Sequence, residues 1–204
     1  MLEVINLQCA RGDRCLFRDL SFQVETGECL VLHGENGSGK TSLLRMLAGL
    51  TPPASGTISW HGLGIQHWGD DYGRQLLYSG HSQGLKEDLS ATENLIFSSA
   101  LAGDRLCAET VSAALENAGL HDRRNLPVRA LSQGQKRRVN LTRLLLQKRK
   151  LWLLDEPLTA LDNKASEWVT GLMNSHLNEG GTIVLTTHQD VALEHATQAM
   201  RLNG

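Results

Sequence analysis

The stretch Gly34-Glu35-Asn36-Gly37-Ser38-Gly39-Lys40-Thr41 fits G-x-x-x-x-G-K-[ST] at every fixed position, the pattern of a loop that cradles phosphates. Glycines at 34, 37 and 39 let the backbone turn so that its N–H groups converge on phosphate oxygens, and the start of a following helix adds partial positive charge. In that chemistry Lys40 meets the β- and γ-phosphates, the Thr41 hydroxyl ligates Mg²⁺, and Ser42, next in the chain, counts as a further nucleotide contact. A second group of residues supplies acids. Leu151-Trp152-Leu153-Leu154-Asp155-Glu156 is an apolar run that ends on two carboxylates. Asp155 is placed to hold Mg²⁺ through its water shell, and Glu156 to act as general base on an attacking water. Together the two groups predict a site for ATP and Mg²⁺.

A third group lies far from the first in sequence. Leu131-Ser132-Gln133-Gly134-Gln135 opens a predicted helix that runs through Lys136-Arg137-Arg138 to about Gln147. A serine at a helix start can offer its hydroxyl and nearby N–H groups to a γ-phosphate, and it can equally serve as the N-cap. This segment resembles the signature of ABC ATPases, Leu-Ser-Gly-Gly-Gln, departing from it at Gln133 and retaining Ser132, Gly134 and Gln135. The resemblance extends over essentially the whole chain. It implies a homodimer of ATPase subunits in which Ser132, Gly134 and Gln135 contact ATP held by the other copy. Leu158-Thr159-Ala160-Leu161-Asp162 resembles the D-loop of that family, with Thr159 where serine is more usual and Asp162 at the dimer interface. His188 matches the switch histidine that contacts the γ-phosphate, which makes Glu156, His188 and Lys40 the implied catalytic set.

Two further positions depart from the family pattern. Arg11 stands where the aromatic that stacks on adenine is usual; a guanidinium plane can also stack on a base, and an exposed hairpin arginine can equally do nothing. His81 matches the glutamine that ligates Mg²⁺ or its water and senses the membrane subunit, and Gln83 is the competing residue. The spacing favours His81.

These residues need particular elements to position them. Leu2 to Leu7 and Phe17 to Val24 alternate apolar and polar residues around the turn Arg11-Gly12-Asp13, the pattern of an antiparallel pair. Glu28 to Leu32 is a short apolar run leading into the glycine-rich loop. Lys40 to Leu50 follows as an apolar-periodic helix closed by Gly49 and Pro52. Leu76 to Ser79, Leu151 to Leu154 and Thr182 to Thr187 are mostly apolar runs, as buried parallel strands are. The fold class expected is therefore α/β, a P-loop NTPase of the ABC ATPase type with an antiparallel β layer and an inserted helical subdomain at about 84–148. Residues 1–204 are expected to form a single domain.

Composition bounds the partners. Of the 204 residues 41% are hydrophobic, enough for an ordinary core, and no apolar run approaches the roughly 20 residues a spanning helix needs. The opening Met1-Leu2-Glu3-Val4-Ile5 lacks the marks of a secretory signal, so a cytoplasmic protein is expected. A net charge of −2 gives no general attraction to a phosphate backbone, and the basic residues Lys136, Arg137, Arg138, Arg143, Lys148, Arg149 and Lys150 read as a solvated helix face, so no nucleic-acid partner is expected. Cys9, Cys15, Cys29 and Cys107 form no C-x-x-C pair.

A narrower resemblance rests on Leu77-Tyr78-Ser79-Gly80-His81, Gly84-Leu85-Lys86, Leu89-Ser90-Ala91-Thr92-Glu93-Asn94-Leu95 and Thr186-Thr187-His188-Gln189. With the compact length, these are similar to the ATP-binding subunits of the haem exporter of cytochrome c biogenesis. That resemblance implies integral membrane partners that handle haem and a peripheral position on the cytoplasmic face of the bacterial inner membrane. No direct haem binding is expected, because the chain has no C-x-x-C-H and its eight histidines are scattered. Other ABC importers and exporters share all of this chemistry and differ only in partner. Soluble members that act on ribosomes resemble two fused units, and those that act on DNA carry very long insertions; this chain shows neither feature.

Overall fold

In the computed structural model the described residues are 1–12, 14–189, 191–195 and 197–202, and of Arg11 only the backbone is described. They fall into two compact units, residues 1–80, 149–157 and 173–204 in one and residues 81–148 and 158–172 in the other.

Two sheets build the first unit. β1 (Leu2–Arg11) and β2 (Arg14–Val24) pair antiparallel. Both are longer than the sequence pattern predicts. The ladder continues through Ala10↔Cys15 and Arg11↔Arg14, but register shifts at Leu7/Cys9 and Cys9/Ala10 break the alternation that would have betrayed it. β3 (Cys29–His33), α1 (Lys40–Leu47), β4 (Ser55–Trp60) and the two-residue β5 (Leu63–Gly64) follow, and the antiparallel sheet has the order β2-β1-β4-β5. A short α2 (Asp71–Gln75) leads into β6 (Leu76–Ser79). The parallel sheet has the order β6-β7-β8-β3-β9, with β7 Leu151–Asp155, β8 Thr182–Thr186 and β9 Thr197–Arg201. Every residue of β7 and β8 is buried, as strands covered on both faces must be. β9 pairs with β3 at the sheet edge and is mostly exposed, so it carries no apolar run for a sequence reading to find.

The core of this unit joins both sheets to the phosphate-loop helix. Leu2, Val4, Leu7 and Trp60 from the antiparallel sheet meet Leu43, Leu44 and Leu47 of α1 and Leu30, Leu153 and Val184 of the parallel sheet. Burying a leucine of this kind contributes about 1.5–3 kcal/mol, so the helix that opens at Lys40 is held by its whole inner face. α1 stops at Leu47, short of the predicted Leu50. The Ala48 N–H bonds the Leu44 carbonyl, and Gly49 at φ 71° takes the left-handed turn that ends the helix.

The second unit is helical: α3 (Ala91–Leu101), α4 (Ala108–Asn117), α5 (Gln133–Leu141) and α6 (Arg143–Leu146), with residues 163–172 of α7 (Asn163–Asn178). Leu95, Val111, Leu115, Leu120, Val128 and Val139 form its core. Ser90 and Glu93 close a capping box on α3, and the buried Asn94 bonds the carbonyls of Lys86, Leu89 and Ser90 and the Lys86 N–H. The helix predicted from residue 133 to about Gln147 is instead broken in two. Thr142 turns its hydroxyl back onto the Arg138 carbonyl at 2.8 Å, a bond that bends helices, and only the short α6 follows.

Candidate active site

The phosphate loop sits where β3 hands the chain to α1. Gly34 (φ 149°) and Gly39 (φ 100°) adopt backbone conformations that side-chain-bearing residues avoid. A Cβ on Gly34 would stand 2.6 Å from Ser38 Oγ and 2.7 Å from the Leu202 carbonyl, and one on Gly39 would stand 3.0 Å from the Phe17 ring, so the loop closes only with glycine there. Lys40 is buried, and its Nζ donates to the carbonyls of Gly34 at 2.6 Å and Glu35 at 3.0 Å. The loop thus holds the ammonium over its own mouth. Glu35 and Asn36 are exposed and line the surrounding depressions, and Ser38 is buried beneath them.

The acids arrive from the neighbouring strands. Thr41 Oγ1 donates to Asp155 Oδ2 at 2.8 Å, and Thr186 Oγ1, at the end of β8, donates to Asp155 Oδ1 at 2.7 Å. The Glu156 N–H is held by the Thr186 carbonyl at 3.1 Å and by Thr186 Oγ1 at 2.9 Å. Glu156 takes φ 49°, a left-handed backbone that turns its carboxylate away from the strand line at a cost of order 1 kcal/mol or more. That carboxylate lies 3.2 Å from His188 Nε2. Burial first, and then the Asp155 charge, raise the pKa of the nearby Tyr78 phenol, with Arg45 opposing them. A cleft of about 330 Å³ is lined by Lys40, Thr41, Ser42, Asp155 and Glu156 together with Asn36, Gly37, Gly39, Arg14 and Leu16. Burial raises the pKa of the Cys9 thiol on β1, with Ser42 opposing it.

The sequence-predicted residues therefore divide. Lys40, Thr41, Ser42, Asp155, Glu156 and His188 stand together. Ser132 and Gln135 stand in the second unit, where they cap α5 reciprocally: Gln135 N–H donates to Ser132 Oγ at 3.2 Å and Ser132 N–H to Gln135 Oε1 at 2.9 Å. Gly134 lies against the segment resembling the D-loop, since a Cβ there would stand 2.8 Å from the Ala160 carbonyl. Asp162 Oδ1 caps the start of α7 through the Ala165 N–H at 2.8 Å. His81 is exposed and Gln83 half-buried in the loop after β6. The Arg11 side chain, expected at adenine, lies outside the described residues. Sequence reasoning missed Thr186, which ties both acids; its place at the end of an apolar strand beside the acid-bearing one was the signal available.

Magnesium suits the donors present. Among the described residues no group of three or more histidine, cysteine or acidic side chains is arranged to hold a metal alone. The Thr41 hydroxyl and the Asp155 carboxylate are hard oxygen donors on adjoining elements, the partial shell that Mg²⁺ completes with water and substrate phosphates.

Comparison with known proteins agrees with this geometry. Residues 17–159 match the ABC transporter family model. A cytochrome c biogenesis ATP-binding export protein CcmA from Pseudomonas aeruginosa is 50% identical over 202 residues, covering 99% of each chain, and one from Nitrosospira multiformis is 52% identical over 195 residues, covering 96% of this chain and 95% of the relative. Among solved structures, the ATP-binding subunit of an ABC transporter superposes with a TM-score of 0.82 at 29% identity, covering 92% of this chain and 79% of that one. The chain belongs to the ABC transporter ATP-binding family and, within it, to the CcmA family of cytochrome c biogenesis ATP-binding export proteins. As a member it is an ATPase that binds ATP. Among the described residues no helix is long and apolar enough to cross a membrane.

Proposed function

We propose that this chain is the ATP-hydrolysing subunit of a membrane-bound export complex of cytochrome c biogenesis, working as a homodimer on the cytoplasmic face of the inner membrane with haem-handling integral membrane subunits. The observation that carries the chemical part is the hydrogen-bonded chain from Thr41 through Asp155 and Thr186 to the Glu156 N–H, with His188 Nε2 3.2 Å from the Glu156 carboxylate, at the mouth of the phosphate loop. The near full-length identity to CcmA proteins supports the cellular part.

In this reading the loop amides of residues 34–42 receive the phosphates, and Lys40 exchanges its two carbonyl partners for β- and γ-phosphate oxygens. Mg²⁺, held by Thr41 and Asp155, would neutralise charge on those oxygens. Glu156 takes the proton of the attacking water, and its fixed backbone keeps the carboxylate aimed at the cleft while Thr186 holds the strand ends together. His188 bonds Glu156 on one side and would reach the γ-phosphate on the other. Ser132, Gly134 and Gln135 would close the site of the second copy, the capped helix start presenting its N–H groups to the γ-phosphate. His81 would ligate Mg²⁺ or its water and report nucleotide state to the membrane subunit, with Gln83 as the alternative, and Arg11 would stack on adenine.

The test is affinity purification of the tagged chain from detergent-solubilised membranes, with identification of what copurifies. Haem-handling membrane proteins are the expected result. Recovery of a different transporter's membrane subunits would leave the ATPase chemistry standing and overturn the cytochrome c assignment.

A further inference from the structure

The cleft that holds Lys40, Thr41 and the two acids has a wall that phosphate-loop chemistry leaves unused. β2 supplies it through Leu16 and Arg14. A Cβ on Gly39 would stand 3.3 Å from Leu16 Cβ, so the strand is pressed against the loop. Arg14, two residues earlier, lines both this cleft and a neighbouring depression of about 260 Å³, in each case beside Asn36 and Gly37. Its side chain is exposed, and among the described residues no carboxylate pairs with it.

The charges on the walls give that guanidinium a task. Arg14 and Lys40 share the cleft with Asp155 and Glu156, so opposite charges balance only while Arg14 is present. Lys40 is already bonded to two loop carbonyls. Without Arg14 the walls carry a net negative charge, and a triphosphate would enter against it. The neighbouring depression, which Arg14 also lines, adds Glu35 and Arg201, one charge of each sign, and so leaves that balance unchanged. None of the residues lining the cleft is aromatic, and Arg14 lies beside the phosphate loop itself. A planar, permanently charged fork in that position suits phosphate oxygens.

We propose that Arg14 is a second phosphate-binding cation of the nucleotide cleft, pairing with non-bridging phosphate oxygens while Lys40 serves the β- and γ-phosphates from the loop. The proposal rests on the nucleotide reading of the cleft and adds a residue to it. It is tested by calorimetric titration of the purified chain with ATP, ADP and inorganic tripolyphosphate in the presence of Mg²⁺, comparing wild type with Arg14→Ala, Arg14→Lys, Arg14→Trp and Lys40→Ala. Arg14→Ala should weaken all three ligands roughly ten-fold, the size of one charge-assisted contact, and should flatten the salt dependence of binding. Arg14→Lys should recover most of the loss and Arg14→Trp none of it. Unchanged binding in Arg14→Ala beside a loss in Lys40→Ala would overturn the role of Arg14 alone. Rescue by tryptophan but not lysine would overturn it too, in favour of base stacking. If Lys40→Ala binds all three ligands like wild type, the cleft is not the phosphate site and the reading beneath the proposal falls with it.

Discussion

The phosphate-loop cluster of the first unit and the signature segment of the second solve opposite problems with the same kind of bond. Around Asp155, hydrogen bonds run between distant parts of the sequence, with Thr41 and Thr186 converging on one carboxylate. Around Ser132 they run between residues three apart, and the helix start satisfies itself. The first arrangement fixes a site before any ligand arrives. The second keeps a helix N-terminus folded while leaving its serine exposed. Half of the proposed chemistry is thus assembled within the first unit, and under the proposed function the rest would serve the nucleotide of a second copy.

The largest effect that would break this contrast belongs to Lys40. Lys40→Ala should abolish hydrolysis, at least a hundred-fold below wild type, with the thermal melt little changed; an unaltered ATPase rate in the purified variant would contradict the preassembled half. Ser132 offers a sharper test of the other half, because its two roles can be separated. Aspartate is as good an N-cap as serine, but it would set a negative charge against a γ-phosphate. Ser132→Asp should therefore melt like wild type while turnover falls to near that of Lys40→Ala. Wild-type turnover in Ser132→Asp would leave Ser132 as a cap alone.

Thr186 should give an intermediate effect. Thr186→Val removes one hydroxyl that serves both Asp155 and the Glu156 N–H. The loss of a buried bond to a charged group should cost roughly 1.5–3 kcal/mol in chemical denaturation and weaken the dependence of turnover on Mg²⁺. Equal stability of wild type and variant would remove Thr186 from the account.

His176 lies outside both halves and should affect stability alone. Its ring stacks on Trp152 at 3.8 Å between centroids, and burial lowers its pKa to about 4. The unfolded chain accepts a proton near pH 6.5 and the folded chain only near 4, so this histidine's stabilising share is complete above pH 6.5 and drains away as pH falls toward 4. The loss totals about 3 kcal/mol. Denaturation at pH 7 and at pH 5 should show wild type losing more stability than His176→Phe over that interval, and equal losses would exclude the effect.

How much of this the sequence reveals depends on whether neighbours in the chain are neighbours in space. The residues from Gly34 to Ser42 are contiguous, so the loop was legible down to its glycines, and β7 announced its acids by a fully apolar run. Thr186 was invisible because its partners at 155 and 156 are brought to it only by the strand order of the parallel sheet. Arg14 was hidden by the bulged register of the first hairpin, in which β2 begins three residues ahead of Phe17, the first that alternation marks. The break at Thr142 depends on one side-chain rotamer choosing the Arg138 carbonyl, and no periodicity carries that information.

The smallest expected effect concerns His81 and Gln83. His81→Ala should lower partner-stimulated turnover in the reconstituted complex while leaving the isolated chain's ATP affinity intact, and Gln83→Ala should be mild. The reverse ranking would transfer the sensing role to Gln83.

The division of the active site between two copies is tested most directly with Glu156→Gln, which should retain ATP but lose roughly 10²–10⁴-fold in turnover. With hydrolysis blocked, the nucleotide should hold two chains together through Ser132 and the phosphate loop of the opposite copy. Light scattering on the purified variant should show a monomer without nucleotide and a dimer at saturating ATP and Mg²⁺, with the added Ser132→Asp change returning it to monomer. A Glu156→Gln variant that remains monomeric at saturating ATP and Mg²⁺ would contradict the account.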